Sequence, residues 1–247
     1  DQLSLWLAML AEEGHSRQGL DQARAALVTL AELLARSRLI RSSQFQALRA
    51  VQVPSVGHPN TAPVLLSADQ LKAIISSAGD IATSLNQQLR NRAVAGALCT
   101  MALRRDELAA ARWGDLDYEE DRLRLRVNGE WVVVTPAMAD ILARWREVLD
   151  DPMPGSPLVR RIWRGGRIAS DGLSPDGIWL VVRDSARYAD LGHVTPDDLR
   201  RSVAYGLRDA GASTEYIRDL LRHRNLMVTE RFLARLHTAD TSLDAGD

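Results

Sequence analysis

Lysine is almost missing from this chain. Of 31 basic residues in 247, Lys72 is the only lysine, and all the others are arginine. Arginine offers a planar fork suited to bidentate phosphate contacts. GC-rich codon usage produces the same bias, so composition alone names no partner. Net charge is −1, which excludes a chain that is basic all over. A near-neutral protein binds nucleic acid only if its arginines gather on one face. Cysteine is nearly absent too. Cys99 can form no internal disulfide; inside the apolar run Val94–Cys99 it is expected in the core, which fits a reducing cytoplasm. No apolar run approaches the roughly 18 residues of a membrane span, so no membrane contact is expected. Aromatics are scarce as well. The four tyrosines are Tyr118, Tyr188, Tyr205 and Tyr216.

Much of the chain carries a helical pattern. Leu5, Trp6 and Leu10, then Leu20, Ala23, Leu27, Leu30 and Leu34, recur near helical spacing. Gly14 and Ser16 separate these runs, with Ser16 a candidate N-cap, and a short third helix is expected over 43–51. Two prolines and a glycine in 54–60 break the periodicity. This predicts a helical domain over 1–55, a linker over 56–63 and a second domain over 64–247. In the second domain Ser67 predicts an N-cap, followed by helices at 68–78, 87–101 and 104–112. Arg122–Val127 alternates polar and apolar, Asn128-Gly129 is a type I′ hairpin dipeptide, and Trp131–Val134 returns as the second strand. A helix follows Pro136, a third strand is expected near 160–163, and helices resume at 175–187, 196–210, 214–222 and 226–236. The fold class is mainly α with a small antiparallel β-sheet.

Four segments carry the chemistry. Leu103-Arg104-Arg105-Asp106-Glu107-Leu108 precedes Trp113-Gly114-Asp115-Leu116-Asp117. Thr195-Pro196-Asp197-Asp198-Leu199-Arg200-Arg201-Ser202 opens with a strong helix start, Thr195 capping and Pro196 in the first turn. Leu220-Leu221-Arg222-His223 follows, and then Thr229-Glu230-Arg231-Phe232-Leu233. Their order and spacing resemble the tyrosine recombinase (phage integrase) family.

The resemblance implies a helical core-binding-like domain and a catalytic domain that clamp duplex DNA between them. Cleaving a phosphodiester without metal needs cations on the non-bridging oxygens, a nucleophile and a general acid, and no cofactor. Arg104 and Arg200 match the family's two phosphate-binding arginines, and His223 its second histidine. Glu107 and Trp113 read as scaffold, and Arg105 as a surface or structural contact. Three positions depart from the pattern. Asp197 stands where a His or Lys is usual; it either pairs with Arg104 or Arg200, or points away as a helix-start carboxylate. The hairpin holds Arg124 and Arg126 but no lysine, and arginine is a poor general acid. Phe232 stands at the nucleophilic tyrosine and has no hydroxyl. Tyr216 is expected to pack in the core beside Leu220. Arg222 stands where glycine is usual; with Arg201, Arg224 and Arg126 it is a candidate DNA contact. The implied partners are double-stranded DNA, a second copy on DNA, or an active recombinase. The short polar tail 238–242 argues against the C-terminal exchange by which the family assembles. Three functions follow: a DNA-binding regulator or accessory subunit that does not cleave, an active recombinase carrying a Tyr-to-Phe change, or a protein scaffold that has left DNA.

Overall fold

The computed structural model describes residues 2–12, 17–54 and 64–240, with side chains up to residue 234. The expected linker over 56–63, the Ser16 cap and the end of the tail lie outside the described residues. The chain divides into two compact units, 1–62 and 63–247.

The smaller unit holds α1 (Gln2–Glu12), α2 (Arg17–Arg36) and α3 (Ser42–Ala50). Leu3, Leu7 and Leu20 are buried with Val51 and Val53, which follow α3. Arg24 on α2 fixes that return: its guanidinium donates to the carbonyls of Arg49 and Val51, both at 2.6 Å.

The larger unit begins with α4 (Ala68–Asp80) and α5 (Leu85–Met101). Ser67 caps α4 as expected. Its hydroxyl accepts from Gln70 N–H at 3.3 Å, and the Gln70 side chain accepts from Ser67 N–H at 2.8 Å. This reciprocal pair satisfies two of the helix's orphan donors. Helix α5 is buried nearly all round, from Ala93 to Leu98 and on to Met101. Cys99 lies in it, and burial pushes its thiol up to about 12. The short α6 (Arg105–Ala110) leads into a three-stranded antiparallel sheet of β1 (Leu116–Glu119), β2 (Arg122–Val127) and β3 (Glu130–Val133). Asn128 and Gly129 have φ of 53° and 89°, the left-handed pair a tight hairpin needs, and Val127 faces Glu130 across it. Leu125 and Val132 point into the core. On the other face Arg124 bonds Asp117 at 3.0 Å and Glu119 at 2.6 Å, and covers Trp131 at 4.1 Å.

Next come α7 (Pro136–Glu147), β4 (Arg160–Ile162), β5 (Ile168–Gly172) and α8 (Pro175–Tyr188). Trp145 on α7 is fully buried, and its indole N–H donates to Leu158 O at 2.9 Å. Burying a ring of about 200 Å² contributes on the order of 5 kcal/mol at about 25 cal/mol per Å². The chain ends with α9 (Pro196–Asp209), α10 (Thr214–Leu221) and α11 (Leu226–Asp240). These three share a small core of Val203, Ala204, Ile217, Leu221 and Leu233, with Phe232 packed against it. Tyr216 corrects an expectation: it is 55 % exposed. The buried stripe of α10 is Ile217 and Leu221, and Tyr216 sits one step off it. Strands β1 and β5 were not expected, because each is too short to show alternation.

Candidate nucleic-acid interface

Two helix ends meet at one carbonyl. Helix α5 stops at Ala102, which takes a left-handed φ of 48°. Its carbonyl oxygen accepts from Arg200 Nη1 and, at 3.1 Å, from Arg222 Nη2. Arg200 Nη2 also donates to Leu221 O. Arg200 on α9 is therefore buried and held by two backbone carbonyls, one from each neighbouring element. A guanidinium has five N–H groups, so these two bonds leave donors for a ligand. Burial, with the charges of Arg222 and Arg104, lowers its pKa to about 10.

Helix α10 ends on Arg222, which is left-handed at φ 53°. The His223 N–H returns to Arg218 O, closing the turn. The Arg222 side chain swings inward. It forms a fork on Glu107, Nε to Oε1 at 3.2 Å and Nη2 to Oε2 at 2.6 Å, and Nη1 donates to Leu220 O at 2.6 Å. The two side chains are 5 % and 6 % exposed. Arg222 was expected to touch DNA backbone. It is instead spent on an internal ion pair, because a buried Glu107 must be matched by a cation. Glu107 also accepts from the Arg104 backbone N–H at 2.7 Å and from Asn128 Nδ2 of the hairpin at 3.4 Å. One carboxylate thus ties together the start of α6, the end of α10 and the hairpin turn.

Arg104 precedes α6 and is exposed; among the described residues no carboxylate lies within 4 Å of its guanidinium. Across a cleft of about 300 Å³ stands Arg126 of the hairpin, itself 3.6 Å from Asp115. Arg124 is already occupied by its two carboxylates. Arg224 is exposed and makes no ion pair among the described residues. Arg201 is half-committed, at 2.7 Å from Asp198. Asp197 is exposed and has no ion-pair partner within 4 Å among the described residues, although Arg200 senses its charge. Of the two expectations for Asp197, the contact pair is not formed.

His223 lies under three cations. Burial and the charges of Arg200, Arg104 and Arg222 lower its pKa to about 4. Its Nδ1 is 3.0 Å from the hydroxyl of buried Thr229, and the Phe232 ring meets the imidazole edge-on at 5.4 Å. Thr229 was missed in the sequence, since nothing local marks it as a partner of a residue six positions earlier in the loop before α11. A depressed folded pKa means that the unfolded chain binds the proton first. The His223 contribution to stability is complete above about 6.5 and is lost as pH falls toward about 4. Thermal melts from pH 7.5 to 4 are expected to show a weaker pH dependence in His223→Asn than in the parent; equal dependence would contradict a neutral imidazole.

The chain belongs to the phage integrase family, whose sequence pattern matches residues 65–238. Among its relatives are tyrosine recombinases. It is 26 % identical to tyrosine recombinase XerC of Corynebacterium efficiens over 231 residues, covering 92 % of this chain and 71 % of that one. It is 29 % identical to tyrosine recombinase XerA of Pyrococcus horikoshii over 239 residues, covering 91 % and 79 %. The fold is similar to the crystal structure of XerA recombinase, with a TM-score of 0.57, 18 % identity and 97 % of both chains covered. It is also similar to XerH site-specific recombinase bound to difH substrate, with a TM-score of 0.59, 17 % identity, and 97 % and 68 % covered. Among the described residues, no helix is long and apolar enough to cross a membrane.

Proposed function

We propose that this protein grips the phosphate backbone of duplex DNA through Arg104, Arg200 and His223 and does not cleave it. The observation that carries the reading is the bearing of three guanidiniums on one neutral imidazole, beside a phenyl ring where chemistry would need a hydroxyl. Glu107 matches Arg222, whereas Arg104 and Arg200 have no carboxylate in ion-pair contact among the described residues, and a phosphate supplies that negative charge. His223 Nδ1 is held by the Thr229 hydroxyl at 3.0 Å; in the tautomer protonated at Nε2, that N–H is left to donate to a phosphate oxygen. Arg126 and Arg224 add charge to the flanking backbone, and Arg201 contributes with the part of its fork that Asp198 leaves. The exposed Asp197 weakens the phosphate site without closing it.

Relatives solved with their DNA support the choice of ligand. The protein then acts as a regulator or as an accessory subunit, as a second copy on DNA or beside an active recombinase. The test is affinity for a 20-base-pair duplex across salt concentrations. Each neutralised phosphate contributes about 0.9 to the slope of log K against log salt. Arg104→Gln is expected to lower that slope by about 0.9 and to weaken binding across sequences. A parent protein with no salt-dependent affinity for any duplex overturns the proposal.

A further inference from the structure

The β4–β5 hairpin is the most one-signed stretch of the larger unit. Arg160, Arg161, Arg164 and Arg167 fall within eight residues, and the nearest carboxylate in sequence is Asp171. Among the described residues none of these four side chains makes an ion pair within 4 Å. Other arginines of the larger unit, among them Arg92, Arg105, Arg124, Arg126, Arg183 and Arg218, have an acidic neighbour.

The hairpin is also a firm platform. Trp163 N–H donates to Arg167 O at 2.9 Å, and Gly166 N–H donates to Trp163 O at 3.0 Å. The turn is pinned to the start of α5, where Asn86 Nδ2 donates to Gly166 O at 3.0 Å. Gly166 is required there: its φ is +84°, and a Cβ would lie 2.9 Å from the Ser84 side chain. Trp163 is 40 % exposed, with the Arg161 guanidinium 4.0 Å over its ring. The ring holds that fork flat and extended without neutralising it. Arg164 and Arg167 are exposed beside the turn, while Arg160 keeps a buried Nε with no hydrogen-bond partner.

The location separates this patch from the phosphate site. The turn sits at Asn86, near the start of α5, and Ala102 ends that helix. Sixteen residues at about 1.5 Å each put roughly 24 Å between them. Along a duplex that distance is about seven base pairs at 3.4 Å per step. One phosphate cannot serve both places.

We propose that the β4–β5 hairpin is a second DNA-backbone contact, made by Arg161, Arg164 and Arg167 at a point distinct from the Arg104–Arg200–His223 site. The inference rests on the DNA-binding reading above and adds to it a separate surface. Three exposed guanidiniums without a carboxylate partner on a rigid turn match a repeating anion, and Gly165, with nothing within 4 Å of a Cβ there, lets a backbone approach closely. A protein partner would need a carboxylate array of the same spacing; duplex DNA presents a phosphate array everywhere.

The test uses the full chain and fluorescence anisotropy on a labelled 20-base-pair duplex. The triple variant Arg161→Gln, Arg164→Gln, Arg167→Gln is exposed at every position, and its melting temperature is checked against the parent. The expected result is a slope of log K against log salt lowered by about 2 to 3, at about 0.9 per phosphate. The triple lysine variant keeps the charge and is expected to restore the slope to within about one unit. Stoichiometry at saturation separates the sources: one duplex per chain puts both contacts on one DNA, and two puts the hairpin on another. An unchanged slope in the glutamine variant overturns the hairpin contact while the Arg104 site stands. Equal losses in the glutamine and lysine variants also overturn it, since charge would then not be the cause. A parent that binds no duplex overturns both readings together.

Discussion

Glu107→Ala is expected to cost about 3–5 kcal/mol of stability, the range for breaking a buried ion pair by removing one partner. For a unit of this size that is a fall of roughly 6–20 °C in melting temperature. The cost comes from what is left behind. Arg222 would keep a guanidinium that is 5 % exposed, near Arg200 and Arg104, with its carboxylate gone. The backbone N–H of Arg104 would lose its acceptor too, and the hairpin would lose the contact from Asn128. Arg222→Gly is expected to cost less, although it breaks the same pair. Glycine is at home at a left-handed φ of 53°, where a side chain costs about 1–2 kcal/mol, so part of the loss is recovered. Water can also reach Glu107 once the arginine is gone. Differential scanning calorimetry of both variants measures this. A Glu107→Ala protein that melts within 2 °C of the parent would show that the pair does not hold the α6 and α10 ends together.

That pair also marks where sequence reasoning stops. The hairpin was legible: Arg122–Val127 alternates, Asn128-Gly129 has one favoured turn, and the register follows. The start of α9 was legible because Thr195, Pro196 and Asp198 each act locally. Arg104, Arg200 and His223 were candidates through the family resemblance, and the fold brings their charges near one another. The direction of the Arg222 side chain could not be read. It depends on Glu107, 115 residues away, and on the backbone at 222 being left-handed, which sequence suggests for glycine and not for arginine. Arg126 was named a DNA contact and Arg124 was not, although nothing local on their strand separates them. Only the paired strand, with Asp117 and Glu119 on it, separates the occupied arginine from the one facing the cleft. Tyr216 failed for a similar reason: α10 is short, and a shift of one residue around it moves a side chain from core to solvent.

Phe232→Tyr, made alone, is expected to give no detectable covalent protein–DNA adduct on a nicked duplex. The phenyl ring stands against His223 at 5.4 Å between centroids, so a tyrosine there would restore a hydroxyl to this part of the site. On the proposed reading two other requirements stay unmet. The leaving oxygen needs a proton, and general acid catalysis typically contributes about 10²–10⁴-fold. Arg126 lines the same cleft as Arg104, but a guanidinium holds its proton too firmly to serve as a general acid. Asp197 adds a carboxylate near the site, where negative charge opposes the developing charge on the phosphate. The comparison that decides the matter is the triple variant Phe232→Tyr, Asp197→His, Arg126→Lys, assayed by denaturing gel on the same substrate. It is expected to trap adduct at least 10²-fold faster than Phe232→Tyr alone. Adduct from Phe232→Tyr at a rate the triple variant does not improve would mean that only the hydroxyl was absent, and that the chain is an active recombinase with one residue changed. Adduct from the triple variant alone would mean that the phosphate grip stayed intact while nucleophile, acid and first base were lost together.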